Sequence, residues 1–173
     1  MSVVCFAHGQ ESGPWGTKIR ALADVAREAG HAVESLDYRG MADPEARARK
    51  LAGWCRSQPA PVILVGSSMG GYVALAAASE VGAAGLFLLA PALYVPGYEA
   101  IPLPPPPSCP VTIVHGWQDD VLPWSGSTRY GQSCGARVVL VPDGHRLVAD
   151  LPGLCRLFRL FLSELGALPR QEE

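Results

Sequence analysis

The run Val62-Ile63-Leu64-Val65-Gly66-Ser67-Ser68-Met69-Gly70-Gly71-Tyr72-Val73-Ala74-Leu75 constrains this chain more than any other stretch, because it joins a buried strand to a helix through a very tight turn. The turn reads G-x-S-x-G. Small residues at Gly66, Ser67, Gly70 and Gly71 let strand end and helix start approach within backbone distance, which lifts the Ser68 side chain onto a strained, exposed apex. Free N–H groups and the dipole at the helix start favour negative charge, so an oxyanion forming beside Ser68 can be held by the Met69 N–H. Two other strand-to-helix turns are excluded: neither G-x-G-x-x-G nor a Gly-Lys-Ser/Thr phosphate loop is present.

At 173 residues the chain is expected to form one domain, residues 1–173, with a core that needs no staple. Apolar residues make up 49% and charged residues 17%, with a net charge of -2, so no basic surplus is available for nucleic acid or anionic lipid. Cys5, Cys55, Cys109, Cys134 and Cys155 are scattered without metal spacing, several inside apolar patterns, and read as reduced core residues. No metal and no cofactor is expected. The N-terminus carries no basic leader and no stretch reaches membrane-spanning length, which predicts a cytoplasmic protein with no membrane partner. Asn is absent altogether, which removes both N-glycosylation and a Cys-His-Asn triad.

Around the central turn, strands and helices alternate. Strands are predicted over Ser2 to Ala7, Val33 to Tyr38, Pro61 to Val65, Gly85 to Ala90, Val111 to Val114 and Ala136 to Val141. Ile19, Leu22, Ala23 and Ala26 follow helical spacing from Thr17 until Gly30 stops the helix. Asp43 caps a second helix with Pro44 at its first position; Leu51, Trp54 and Cys55 mark its buried side, and Arg47, Arg49 and Lys50 its solvated face. Leu154, Leu157, Phe158, Phe161, Leu162 and Leu165 give the last helix one apolar face. This alternation predicts an α/β fold of about six mostly parallel strands with helices on both faces. Ligands bind such sheets at the carboxyl ends of the strands. The proline run from Ile101 to Pro110 is read as a stiff surface connector in preference to a docking ligand.

A serine hydroxyl is a weak nucleophile and needs a base beside it, with a third group that fixes the tautomer of that base. Candidates lie after the fifth strand, in His115-Gly116-Trp117-Gln118-Asp119-Asp120-Val121-Leu122-Pro123, and after the sixth, in Pro142-Asp143-Gly144-His145-Arg146. With these residues in the order Ser, Asp, His, the whole chain resembles the α/β-hydrolase superfamily, and its opening His8-Gly9-Gln10-Glu11-Ser12-Gly13-Pro14 is most similar to compact bacterial esterase-like members. The resemblance implies Asp119 as the acid, with Asp120 as fallback, and His145 as the base. It also implies Gln10 as the second oxyanion donor beside Met69. Where many members insert a helical cap, only Pro91 to Pro110 is present, so no cap domain and an open, shallow site are expected.

His8 and His115, each preceding Gly, read as loop-fixing hydrogen bonders rather than bases, Asp143 as a residue that bonds its own turn, and His31 as surface. Trp15, Trp117, Trp124, Tyr94 and Tyr98 are placed in loops at the site end, about two of them lining an acyl site. The function expected is hydrolysis of a small carboxylic ester or thioester through an acyl-enzyme on Ser68. The other reading is a non-catalytic interaction or ligand-binding protein on the same scaffold. Sequence leaves the physiological substrate and the oligomeric state open.

Overall fold

The computed structural model describes residues 1–99 and 101–167. Six parallel strands form one sheet: β1 (Val3–Ala7), β2 (Ala32–Leu36), β3 (Val62–Ser67), β4 (Gly85–Leu89), β5 (Val111–Gly116) and β6 (Arg137–Val141). Their spatial order is β2-β1-β3-β4-β5-β6, so the β3 turn leaves from the interior of the sheet. Val3 to Ala7 pair with Val62 to Gly66 on one side and with Ala32 to Leu36 on the other, which buries β1 completely and explains its unbroken apolar run.

Period-2 alternation divides the core between two faces. Cys5, Leu64, Leu86 and Ile113 pack beneath α2 (Pro44–Arg56), α3 (Met69–Val81) and α4 (Trp124–Cys134). Phe6, Ile63, Val65, Phe87 and Val114 point the other way, onto α1 (Thr17–Glu28) and α5 (Leu151–Ala167). On that side Phe158 closes against Phe87 at 5.0 Å between ring centroids and against Phe6 at 6.5 Å. The α2 cap forms as its sequence predicts: the Asp43 carboxylate accepts from the Glu45 N–H at 3.0 Å and the Ala46 N–H at 3.2 Å.

Four features differ from the sequence reading. The helix α4 was not predicted; its stretch, Trp-Ser-Gly-Ser-Thr-Arg-Tyr-Gly-Gln-Ser-Cys, is poor in helix formers. Tertiary packing supplies what propensity lacks, with Tyr130 and Ser127 fully buried against the sheet. Trp124 accordingly opens a helix instead of lying in a loop. Strand β5 runs on through His115 and Gly116, so His115 is a buried strand-end residue. Arg47 belongs to no solvated face, being 1% exposed, because its guanidinium donates to the carbonyls of Met41 at 2.7 Å and Gly9 at 3.2 Å. Of the cysteines, all free, Cys5 and Cys55 are buried and the other three only partly so. His31 is half-buried.

Among the described residues between β4 and β5 there is no helix or strand, and hence no cap domain. The proline segment lies extended across α3, with Leu103 packed on the core and the Pro105 carbonyl accepting from the Ser79 hydroxyl. No helix among the described residues is long and apolar enough to cross a membrane.

Candidate active site

Ser68 sits between β3 and α3 with φ 57° and ψ -122°, a left-handed conformation that a residue with a side chain adopts only when its surroundings impose it. Two glycines make it possible. A Cβ on Gly66 would lie 2.2 Å from the Gly70 carbonyl oxygen, and one on Gly70 would lie 2.0 Å from that of Ala7. The backbone is locked from both ends: the Ser68 N–H donates to Leu89 O at 3.0 Å, and its carbonyl accepts from the Gly71 and Ala92 N–H groups at 2.9 Å each.

From this apex the Ser68 Oγ lies 3.1 Å from His145 Nε2, and His145 Nδ1 lies 2.8 Å from Asp119 Oδ2. A carboxylate only accepts, so Nδ1 carries the proton and Nε2 is left free to accept from the serine. Asp119 takes two further bonds, on Oδ1, from the N–H groups of Val121 at 2.9 Å and Leu122 at 2.8 Å. Burial pushes its pKa up, but these bonds and His145 together outweigh it and hold the carboxyl below its ordinary value. Asp120, the fallback acid, is exposed and takes no part in this chain of bonds.

His115, expected as a loop-fixing residue, braces the acid itself. Its Nε2 lies 2.9 Å from Asp119 Oδ2 and 3.1 Å from the Leu122 carbonyl, while Nδ1 lies 2.8 Å from the buried Ser127 Oγ. Two acceptors around Nε2 require the proton there, so Nδ1 accepts from the Ser127 hydroxyl. Ser127 went unnoticed in the sequence because the helix that carries it did. Asp143 does bond its own turn, accepting from the Gly144 N–H at 2.7 Å and the Ala149 N–H at 2.9 Å, which shapes the loop that presents His145.

Gln10 and Met69, which carry the two candidate oxyanion N–H groups, line the same cleft as Ser68 from separate elements. The loop carrying Gln10 is fixed by His8, whose Nε2 accepts from the Tyr38 N–H at 2.9 Å and whose Nδ1 donates to Gly9 O at 2.7 Å. Burial lowers the His8 pKa by disfavouring the charged ring, and a proton on Nε2 would also break the Tyr38 bond. A group with a depressed folded pKa contributes stability above its unfolded value that is lost as pH falls. Thermal melts should therefore show stability declining as pH drops below about 6.5, the ordinary histidine value, with the decline reduced in His8→Gln. A wild-type melting temperature that stays flat between pH 7 and pH 5 would contradict this.

Two clefts meet at Ser68. One, of about 520 Å³, is lined by Gln10, Glu11, Lys18, His145 and Arg146. The other, of about 820 Å³, is lined by Tyr72, Tyr94, Tyr98, Ile101, Leu103 and Leu122. Of the five aromatic residues placed near the site by sequence, Tyr94 and Tyr98 line this second cleft. Trp15, Trp117 and Trp124 line neither; the last two pair edge to face at 5.2 Å on the surface. Tyr72 was missed because it lies inside the helix pattern. Among the described residues no cluster of His, Cys, Asp and Glu has the arrangement of a metal site.

Comparison with known proteins agrees with this fold. The chain is similar to a member of the alpha/beta hydrolase superfamily from Xanthomonas campestris pv. campestris, at 32% identity over 95% of this chain and 99% of that one, with a TM-score of 0.86. Est1E from Butyrivibrio proteoclasticus, solved with ferulic acid bound, shares the fold with a TM-score of 0.86 at 16% identity, over 97% of this chain and 90% of that one. Human mitochondrial palmitoyl-protein thioesterase ABHD10 is 24% identical over 181 aligned positions, 72% of this chain; the alignment spans 59% of that relative's length. The model of the alpha/beta hydrolase family matches residues 4–171, and the chain belongs to that family.

Proposed function

We propose that the protein is a serine hydrolase that cleaves small carboxylic esters or thioesters through an acyl-enzyme. The observation that carries this reading is the continuous bond path from the Asp119 carboxylate through His145 to the Oγ of a serine held at φ 57°. Ser68 Oγ attacks the carbonyl carbon as His145 Nε2 takes its proton, and the oxyanion is received by the Gln10 and Met69 N–H groups. The carbon–oxygen or carbon–sulfur bond then breaks and His145 returns the proton to the leaving group. Water, deprotonated by the same nitrogen, releases the acid and restores Ser68. The ionised Asp119 stabilises the imidazolium at both stages, and His115 with Ser127 keeps Asp119 in place.

Support also comes from a relative named as a thioesterase. The direct test is a fluorophosphonate probe followed by peptide mapping. Covalent attachment at Ser68, lost in His145→Ala, is the expected result. Folded wild-type protein that takes up no label would overturn the proposal in favour of a non-catalytic binding protein.

A further inference from the structure

The two clefts beside Ser68 differ in chemistry, and the position of the base says which half of a substrate each receives. His145, which hands its proton to the leaving group, lines the smaller cleft and is not among the residues of the larger one. Met69 lines only the larger. The leaving group therefore departs into the smaller cleft, and the acyl group occupies the larger. The larger cleft is walled by tyrosines and aliphatic side chains, with its Arg129 guanidinium laid over the Tyr94 ring at 4.0 Å. The smaller cleft brings Lys18 and Arg146 beside the catalytic histidine.

Neither cation has a carboxylate partner among the described residues, whereas seven of the other arginines do. The two carboxylates whose charge acts on Lys18 are already engaged: Asp119 by His145, His115 and two backbone N–H groups, and Asp143 by Gly144 and Ala149. Only Glu11 adds negative charge to the lining, leaving an excess of one positive charge at neutral pH. Lys18 is half-buried, and without a partner it carries a desolvation cost that an anion from outside relieves; Arg146, exposed at the rim, adds a second donor. Burial is the leading cause that brings the Lys18 pKa down to about 8; Asp143 and Asp119 oppose that shift and Arg146 adds to it.

Building on the hydrolase reading above, we infer that the preferred substrate is an ester or thioester of an apolar acid whose leaving group carries a carboxylate or phosphate, held by Lys18 and Arg146. The anion stays with the departing alcohol or thiol, which takes the proton from His145, while the apolar acyl chain remains on Ser68 until water releases it.

Three thioesters with a common hexanoyl group test this: S-hexanoyl 3-mercaptopropionate, its neutral carboxamide, and S-hexanoyl 2-mercaptoethyl phosphate, with thiol release followed by a disulfide dye. At pH 7 the expected kcat/KM for at least one anionic thioester exceeds that of the carboxamide by about tenfold, the scale of a single charge-assisted contact. The faster of the two anions identifies the headgroup. The ratio of anionic to neutral rates should fall toward one in Lys18→Met/Arg146→Gln. In the wild type the ratio for the carboxylate should decline as pH rises through about 8, where Lys18 loses its charge. Equal hydrolysis of the carboxamide and both anions by the wild type, or a preference that survives in the double variant, overturns the inference and leaves the hydrolase reading standing. Absence of thiol release from all three together with absence of fluorophosphonate labelling overturns both.

Discussion

Ser68→Ala is expected to lower kcat for p-nitrophenyl acetate by about 10⁵-fold, equivalent to ~7 kcal/mol of transition-state stabilisation, while the protein keeps its fold. The size of the effect follows from what is removed. In the proposed mechanism Oγ is the atom that forms the covalent intermediate, and neither His145 nor the candidate oxyanion N–H groups can substitute for it. The fold survives because Oγ bonds only His145, whereas the backbone bonds of Ser68 to Leu89, Gly71 and Ala92 hold the turn whatever the side chain. Steady-state kinetics beside a thermal melt separates the two: undiminished turnover in the variant rules out Ser68 as nucleophile, and an unfolded variant rules out the account of the turn.

Gly70→Ala is expected to give the largest loss of stability for the smallest change, about 3 kcal/mol or more, a drop on the order of 10 °C in melting temperature. An added methyl would sit 2.0 Å from Ala7 O and 2.5 Å from Ala7 C, backbone atoms of a strand buried between two neighbours, so nothing nearby can yield cheaply. The matched control is Gly53→Ala. It lies on the exposed face of α2 with nothing within 4 Å of the new Cβ, and there alanine should stabilise by about 0.5–1 kcal/mol through helix propensity. Chemical denaturation of both variants checks the opposite signs. A neutral Gly70→Ala would mean that the strand-to-helix contact is looser than these distances allow.

Much of the architecture was legible because it depends on local pattern. Buried parallel strands announce themselves as short apolar runs, and α5 does so through one apolar stripe at helical spacing. The turn at Ser68 was readable because close approach of backbones admits only glycine, and that requirement is written in residue identity. Helix α4 escaped because its stability comes from burying Tyr130 and Ser127 against the sheet, a contribution that no local propensity reflects. Arg47 was assigned to solvent on its charge alone. Three backbone carbonyls, those of Met41, His8 and Gly9, make burial of that charge tolerable, and the last two come from a loop nearly forty residues away.

The sequence by itself determined the alternation of strands and helices, the glycine-framed turn and the candidate serine, since each follows from residue type at short range; the candidate acid and base came from the family resemblance, with Asp119 and Asp120 both open. Tertiary structure alone decided how these groups meet. Ser68 and His145 are 77 residues apart in the chain and Asp119 and His145 are 26 apart, and only the parallel register of β3, β5 and β6 sets their loops side by side. The choice of Asp119 over Asp120 rests on which carboxylate the Val121 and Leu122 N–H groups and His115 can reach. The two clefts, and the placing of Lys18 and Arg146 without a carboxylate partner among the described residues, are likewise products of folding. Cavities and unmatched charges are properties of the space between elements, and a linear pattern carries no record of that space.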